Sequence, residues 1–338
     1  MKKKILQESL EDGKVRCNTC PRHCIIKEED IGICKIRKNI RGTLNLLTYG
    51  KPVATSVDPV EKKPFFHFAP GTEVYSVATQ GCNLRCKFCQ NHSISYGWDE
   101  IKGINRLPEE VVEGAEDTGC KGIAYTYTEP TVFLEYCLDT IEESRDIYNV
   151  FVSNGYMSKE TAEIAAEKID AINIDLKGNS EFYRDLCGVP DNKPVYRTLE
   201  IMDEKDVFVE VTVLIVPGHN DDEEHIREKV KWIKENIGKD TPIHFSRFTP
   251  HHEMKHTPPT PVETLENAIE IAEDLGMDYV YCGNVPGHQN ENTYCPDCGK
   301  VVIKRRGFRV MEKNLNSYGG CTNCGYEINL GGMEYVEK

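Results

Sequence analysis

No run of about 18 consecutive apolar residues occurs in the sequence, and a membrane-spanning helix needs about that length, so no membrane partner is expected. The start, MKKKILQESLEDGK, lacks the apolar stretch of a secretory signal, which points to a cytoplasmic setting. Basic charge is also in short supply. The 338 residues carry 41 Lys and Arg against 55 Asp and Glu, a formal net charge of −14. A nucleic-acid binder needs a basic face to neutralise phosphates, so that class is not expected. The short basic run Lys304-Arg305-Arg306 reads as a solvated strand or turn. Hydrophobic content of 39% is enough for a core, and the length suits one large α/β domain with small appendages.

Cysteine is abundant, and its grouping is informative. Of fifteen cysteines, eleven fall into three sets: Cys17, Cys20, Cys24 and Cys34; Cys82, Cys86 and Cys89; and Cys295, Cys298, Cys321 and Cys324. In a chain without a signal, such sets read as metal ligands in a reducing compartment rather than as disulfides. Cys120, Cys137, Cys187 and Cys282 stand alone and read as buried structural thiols.

The middle set lies on Thr79-Gln80-Gly81-Cys82-Asn83-Leu84-Arg85-Cys86-Lys87-Phe88-Cys89-Gln90-Asn91. CxxxCxxC spacing on a tight loop lets three thiolates converge on one small cluster. A 4Fe–4S cube normally takes four cysteines, so three would leave one iron open to another ligand. The alternative is a zinc site with His92 as fourth ligand. The first set, followed by Gly32-Ile33-Cys34, packs four cysteines too closely for a long helix or regular strand and reads as a metal-binding knuckle. Zinc is its default occupant and a second iron–sulfur cluster the competitor. The last set, Cys295-Pro296-Asp297-Cys298-Gly299 with Cys321-Thr322-Asn323-Cys324-Gly325, has zinc-ribbon spacing, with Val301–Arg306 as its first strand.

Leu44–Gly50 alternates as a short strand running into a turn at Gly50-Lys51-Pro52. From about residue 72 the pattern alternates between strand and helix. Apolar, β-branched or aromatic runs at 74–79, 122–127, 149–153, 171–176, 207–216, 242–247 and 278–282 read as strands covered on both faces. Helices are expected over 109–118, 131–146, 158–168, 222–237 and 261–275. In the last of these Thr260 is the expected cap, Pro261 fits the first turn and Glu263 completes a capping box. Repeated βα units imply a parallel sheet, either doubly wound or curled into a barrel, with its site at the C-terminal ends of the strands. Those ends carry Thr128-Glu129-Pro130, Ser153-Asn154-Gly155, Asp175-Leu176-Lys177, Val216-Pro217-Gly218-His219-Asn220-Asp221, and Phe248 to Met254 with His251 and His252. Gly155 suits a turn with positive φ, and the two histidines could touch substrate.

The cysteine loop, with an aromatic just before its third cysteine, resembles the signature of the radical S-adenosylmethionine (radical SAM) enzymes. The whole chain from about 15 to 330 resembles the radical SAM enzyme of the AmmeMemoRadiSam system, a relative of pyruvate formate-lyase activating enzymes. The Cys17–Cys34 knuckle, Phe66-His67-Phe68-Ala69-Pro70-Gly71, Tyr127-Thr128-Glu129-Pro130 and Gly283-Asn284-Val285-Pro286-Gly287-His288 carry that likeness. It implies an α/β fold, a partial (β/α)6 barrel over 71–290, with an N-terminal Cys-rich metal-binding module over 1–70 and a zinc-ribbon-like module over 291–338. It implies a 4Fe–4S cluster on Cys82, Cys86 and Cys89, reductive cleavage of SAM, and hydrogen abstraction from a protein or peptide, with a small metabolite as the alternative substrate. A non-catalytic zinc-binding adaptor is the competing class. Phe88, Glu129, Asn154 and Asp175 would contact SAM. The glycines that often precede the acid at 129 are absent here, and Thr212 stands where relatives often carry arginine. Implied partners are a ferredoxin or flavodoxin as electron donor, and Memo-like and AMMECR-like proteins.

Overall fold

The computed structural model describes residues 6–336. The first five residues of the 1–70 segment, part of the start read above for a signal, and the last two of 291–338 lie outside the described residues.

The centre is an eight-stranded sheet whose neighbours follow chain order. Strand β1 (Ala54–Pro59) runs antiparallel to β2 (Glu73–Ala78). From β2 onward the strands are parallel: β3 (Gly122–Tyr125), β4 (Tyr148–Ser153), β5 (Ala171–Asp175), β6 (Phe208–Ile215), β7 (Ile243–Arg247) and β8 (Val280–Gly283). The crossovers carry helices α1 (Pro108–Asp117), α2 (Leu134–Glu143), α3 (Lys159–Ala166), α4 (Lys193–Glu204), α5 (Glu223–Asn236) and α6 (Val262–Asp274). Right-handed crossovers that always advance in one direction put every helix on the same face, so the sheet curls instead of being wound on both sides. No pairing joins β1 to β8 among the described residues, and the barrel is open.

The seven apolar runs all became the parallel strands, because each is buried along nearly its whole length. Strand β1 and helix α4 were not expected. Asn192 at the N-cap and Pro194 in the first turn interrupt the apolar pattern, yet Val195, Thr198, Leu199 and Met202 bury one face of α4. The cap expected from Thr260 does not form. Pro261 occupies the N-cap without a side-chain bond. Thr260 is fully buried, and its hydroxyl donates to the Ile215 carbonyl at 2.6 Å and accepts from the Phe248 N–H at 3.0 Å. It ties the ends of β6 and β7 instead of capping a helix. The strand expected at 44–50 is the second arm of a hairpin, Arg37–Ile40 with Thr43–Leu46, and the turn follows at once.

The barrel floor is built from distant pieces of chain. Glu210, fully buried on β6, accepts from the backbone N–H groups of Phe66 (3.0 Å), His67 (2.8 Å) and Phe68 (3.2 Å) and faces His244 Nε2 at 2.7 Å. The C-terminal module, strands Thr293–Tyr294, Val301–Arg306 and Arg309–Lys313 in antiparallel order, packs there. Its Val302, Cys321 and Ile328 meet Phe66, Tyr279 and Tyr281. The N-terminal module docks on the barrel wall through Arg37, whose guanidinium makes a bidentate pair with Glu135 of α2 at 2.9 and 2.7 Å.

Candidate active site

The loop 79–91 follows β2 directly, at the C-terminal end of the sheet. Gly81 makes its entry possible. Its φ is +113°, and a Cβ there would sit 2.7 Å from Ile36 Cδ1 of the N-terminal module. A side chain is therefore excluded both by conformation and by space. The turn Cys187–Gly188 that follows helix Ser180–Leu186 fixes the loop from below. Arg85 N–H donates to the Cys187 carbonyl and Lys87 N–H to the Leu186 carbonyl, each at 2.9 Å. Arg85 reaches back to the carbonyls of Cys82 (2.9 Å) and Leu84 (2.7 Å) and also bonds the Ile33 carbonyl. Tyr96 hydroxyl donates to the Cys86 carbonyl at 2.6 Å.

A cavity of about 320 Å³ opens at these strand ends. Cys82, Cys86, Cys89 and Phe88 line it from the loop; Glu129, Asn154 and Asp175 line it from the ends of β3, β4 and β5. Every residue predicted for the cluster and for SAM thus lines this one cavity. The volume lies in the range of small-molecule sites. A larger cavity of about 610 Å³, bordered by Glu266, Glu270, Glu273 and His288, shares no residue with it and has no cysteine.

Glu129 is 1% exposed. One carboxylate oxygen accepts from Thr131 N–H (3.1 Å), Thr131 Oγ1 (2.5 Å) and Ser153 Oγ (2.8 Å); the other accepts only from Asn154 N–H (2.8 Å). It caps the short helix Pro130–Phe133 and still keeps acceptor capacity on the second oxygen. Burial pushes its carboxyl up against the pull of those hydrogen bonds. Asn154 is committed to the loop. Its side-chain nitrogen donates to Asn83 Oδ1 at 2.9 Å and lies 3.7 Å from the Cys82 sulfur. Gly155 takes φ +67°, as its sequence position suggested.

Asp175 pairs with Lys177 at 2.8 Å, and the Lys177 ammonium sits 5.9 Å over the Phe88 ring. Burial opposes the charge on Lys177, but the Asp175 carboxylate beside it holds its pKa well above the usual value. A fixed cation therefore stands beside the cysteine loop. Thr212 donates to Asn173 Oδ1 at 2.9 Å and puts no charge into the cavity it borders.

The zinc alternative for the loop does not fit. Among the described residues, no set drawn from Cys82, Cys86, Cys89 and His92 brings three ligand atoms within 4.8 Å of one another. His92 instead stacks on His252, centroids 4.3 Å apart. A four-iron cube takes each thiolate on its own iron, which suits the wider spacing. His251 and His252 do not line the cavity; His251 Nδ1 donates to the Thr249 carbonyl at 3.0 Å. Cys187, read as a plain buried thiol, lies beside Cys86, and that neighbour, followed by burial, pushes the Cys86 thiol well up.

The ribbon cysteines form the one set, among the described residues, with all four sulfurs within 4.8 Å. Cys295 and Cys324 sulfurs lie 3.5 Å apart, Cys298 and Cys321 sulfurs 3.7 Å apart. Four thiolates about 2.3 Å from one tetrahedral ion stand about 3.8 Å apart. No described helix is long and apolar enough to cross a membrane.

Residues 76–233 match the family profile described as "Radical SAM superfamily". The chain is 46% identical over 334 residues to the uncharacterized protein MJ0808 of Methanocaldococcus jannaschii, covering 98% of this chain and 99% of that one. It is 25% identical over 230 residues to the pyruvate formate-lyase 1-activating enzyme of Escherichia coli K12, covering 60% of this chain and 89% of that enzyme. Among solved structures, a domain of pyruvate-formate lyase-activating enzyme from Bacteroides vulgatus superposes with a TM-score of 0.41 at 21% identity, over 48% of this chain and 99% of that one. With the cysteine loop at the end of the first parallel strand of an open α/β barrel, the superfamily match over residues 76–233 and a relative 46% identical along nearly the whole chain, the chain belongs to the radical SAM superfamily and is an enzyme of that kind.

Proposed function

We propose that this enzyme cleaves SAM reductively and uses the resulting radical to take hydrogen from a protein or peptide. One observation carries the reading: Cys82, Cys86, Cys89, Phe88, Glu129, Asn154 and Asp175 face a single cavity, although they come from four separate strand ends. Cys82, Cys86 and Cys89 would hold the 4Fe–4S cluster that the superfamily implies. When bound, that cluster supplies one electron to the sulfonium of SAM, giving methionine and a 5′-deoxyadenosyl radical.

The chain's own residues do the rest. Glu129 offers its less occupied oxygen to the amino group of SAM, and three donors on the other oxygen keep it from turning. Phe88, steadied by Phe182 at 5.7 Å, presents apolar surface to the adenine. Asn154 positions the loop through Asn83. Asp175 and Lys177 supply a fixed dipole at the cavity wall.

A macromolecular substrate is supported by the names of the relatives. They include a pyruvate formate-lyase activating enzyme and, at 28% identity over 177 residues, a cysteine-type anaerobic sulfatase-maturating enzyme from Clostridium perfringens that this chain covers to 47%. The likeness to the AmmeMemoRadiSam enzymes adds Memo-like and AMMECR-like proteins as partners and a ferredoxin or flavodoxin as electron donor. At Cys295, Cys298, Cys321 and Cys324 the sulfur spacing supports one zinc ion.

The test is anaerobic reconstitution with iron and sulfide, then incubation with SAM and reductant. 5′-Deoxyadenosine should form and be lost in Cys82→Ala, Cys86→Ala and Cys89→Ala. Unchanged SAM cleavage in any of the three would overturn the assignment. Mass spectrometry of candidate partner proteins after the same incubation separates a protein substrate from a metabolite.

A further inference from the structure

The cysteines that precede the barrel are arranged unlike those of the ribbon. Cys17 closes a short strand, Val15–Cys17; Cys20 and Cys24 lie in the loop that follows, and Cys34 returns after Gly32. All four wall one small cavity together with Arg22 and Arg37. The rest of the wall is Thr19, Gly32 and Asn83 with three aliphatic side chains, Ile26, Ile33 and, from the barrel, Val132.

Spacing separates this set from a zinc site. No three of these four sulfurs come within 4.8 Å of one another, whereas all four ribbon sulfurs do. Four thiolates sharing one zinc ion must stand about 3.8 Å apart. A four-iron cube carries one thiolate per iron, at separate corners, and needs a wider ring around a void. The zinc that four thiolates suggest by default at this knuckle does not match such a ring.

Charge and fixation agree. A cube with four thiolates is an anion, and burying an anion is costly without nearby donors and cations. Arg37 stands on the wall, held by its two bonds to Glu135. Arg22 stands there too, donating to the Asn83 carbonyl at 2.6 Å and the Gly188 carbonyl at 2.8 Å. The Thr19 carbonyl accepts from Thr161 Oγ1 at 2.8 Å, which anchors the knuckle to α3. The ring is therefore held from both sides before any metal arrives.

We propose that Cys17, Cys20, Cys24 and Cys34 ligate a second 4Fe–4S cluster, complete in its four thiolates and separate from the centre on Cys82, Cys86 and Cys89. Asn83 belongs to its wall and is the neighbour of Cys82, so the two centres meet across one residue of the loop. The inference stands on the knuckle alone and does not need the barrel cavity to cleave SAM.

The deciding material is the full chain carrying Cys82→Ala, Cys86→Ala and Cys89→Ala together. That variant leaves the knuckle native, and circular dichroism reports whether it folds like the parent. After anaerobic reconstitution with ferrous iron and sulfide and removal of excess, about four irons and about four labile sulfides per chain are expected, the content of one 4Fe–4S cluster. Dithionite should then bring up a low-temperature EPR signal. A second variant, Cys20→Ser/Cys34→Ser in the parent, should lose that same share of iron and keep the remainder. Two zinc ions per chain without labile sulfide in the triple variant would overturn the proposal, as would iron that vanishes with the three loop cysteines. If parent and triple variant hold the same four irons, the knuckle cluster stands and the reading of the barrel loop fails.

Discussion

Asn154 Nδ2 donates to Asn83 Oδ1 at 2.9 Å, so the end of one barrel strand holds the residue next to Cys82. Asn83 in turn donates to the Tyr156 carbonyl at 2.8 Å, and both side chains are nearly free of solvent. Asn154→Ala would leave Asn83 Oδ1 buried without that donor, a loss of about 1–3 kcal/mol at the loop. The expected outcome is cluster absorbance that bleaches faster than in the parent and at least a tenfold fall in 5′-deoxyadenosine formation. Parent-like values for both would show that the bond is incidental.

Glu129→Gln keeps the shape but removes the charge. It also turns one acceptor into a donor facing the Thr131 and Ser153 hydroxyls or the Asn154 N–H. A charge-assisted hydrogen bond contributes about 1.5–3 kcal/mol, so affinity for SAM should fall roughly ten- to a hundredfold. Isothermal titration of the reconstituted enzyme measures this directly, with cluster content unchanged as the control.

Glu135→Ala should destabilise the fold more than a surface substitution would. Arg37 is 2% exposed, and without its partner it becomes an unpaired buried cation, which costs about 3–5 kcal/mol. Urea unfolding would show a lower midpoint. The double variant Arg37→Met/Glu135→Met should regain much of the loss, since apolar replacement of a buried pair is often close to neutral.

Acid should loosen the floor through His67. Its Nδ1 faces the Asn329 carbonyl and its Nε2 the Tyr281 hydroxyl, each at 2.5 Å. A carbonyl only accepts, so Nδ1 carries the proton and Nε2 accepts from the tyrosine. Burial drives the pKa down from 6.5 to about 4. A base with a depressed pKa gives its full stability above the unfolded value and loses it as pH falls through the folded one. Unfolding free energy should therefore fall between pH 6.5 and pH 4, by on the order of 3 kcal/mol from this group, and Tm should fall with it. His67→Gln, which cannot titrate, should flatten that part of the profile.

The cysteine loop, the parallel strands and the polar ends of β3, β4 and β5 were readable in the chain, because an apolar run ending in polar turn residues marks both a strand and its functional end. What was not readable depends on encounters between distant segments. Cys187 carries no spacing signal; it reaches Cys86 because the backbone of Arg85 and Lys87 pairs with the end of the helix Ser180–Leu186. Thr260 had the local signature of a helix cap, but two strand ends took both bonds of its hydroxyl. His251 and His252 looked accessible to a substrate, and stacking and backbone contacts turn them aside. At the knuckle, four cysteines at that spacing accommodate one ion or four irons, and sequence spacing carries no signal for how far apart their sulfurs stand.

The floor also sets an order of events for the chain as it is made. His67 and Asn329 are 262 positions apart, and Gly331 N–H donates to the His67 carbonyl at 3.1 Å. Contacts over such separations close slowly, because a long loop must be ordered first. A nascent chain that has completed its eight strands still lacks the ribbon, and Phe66, Tyr279 and Tyr281 have nothing to cover them. Apolar surface left open in that interval favours aggregation. The ribbon closes it, so Phe66, Tyr279 and Tyr281 stay uncovered until the last-made segment of the chain has folded onto them.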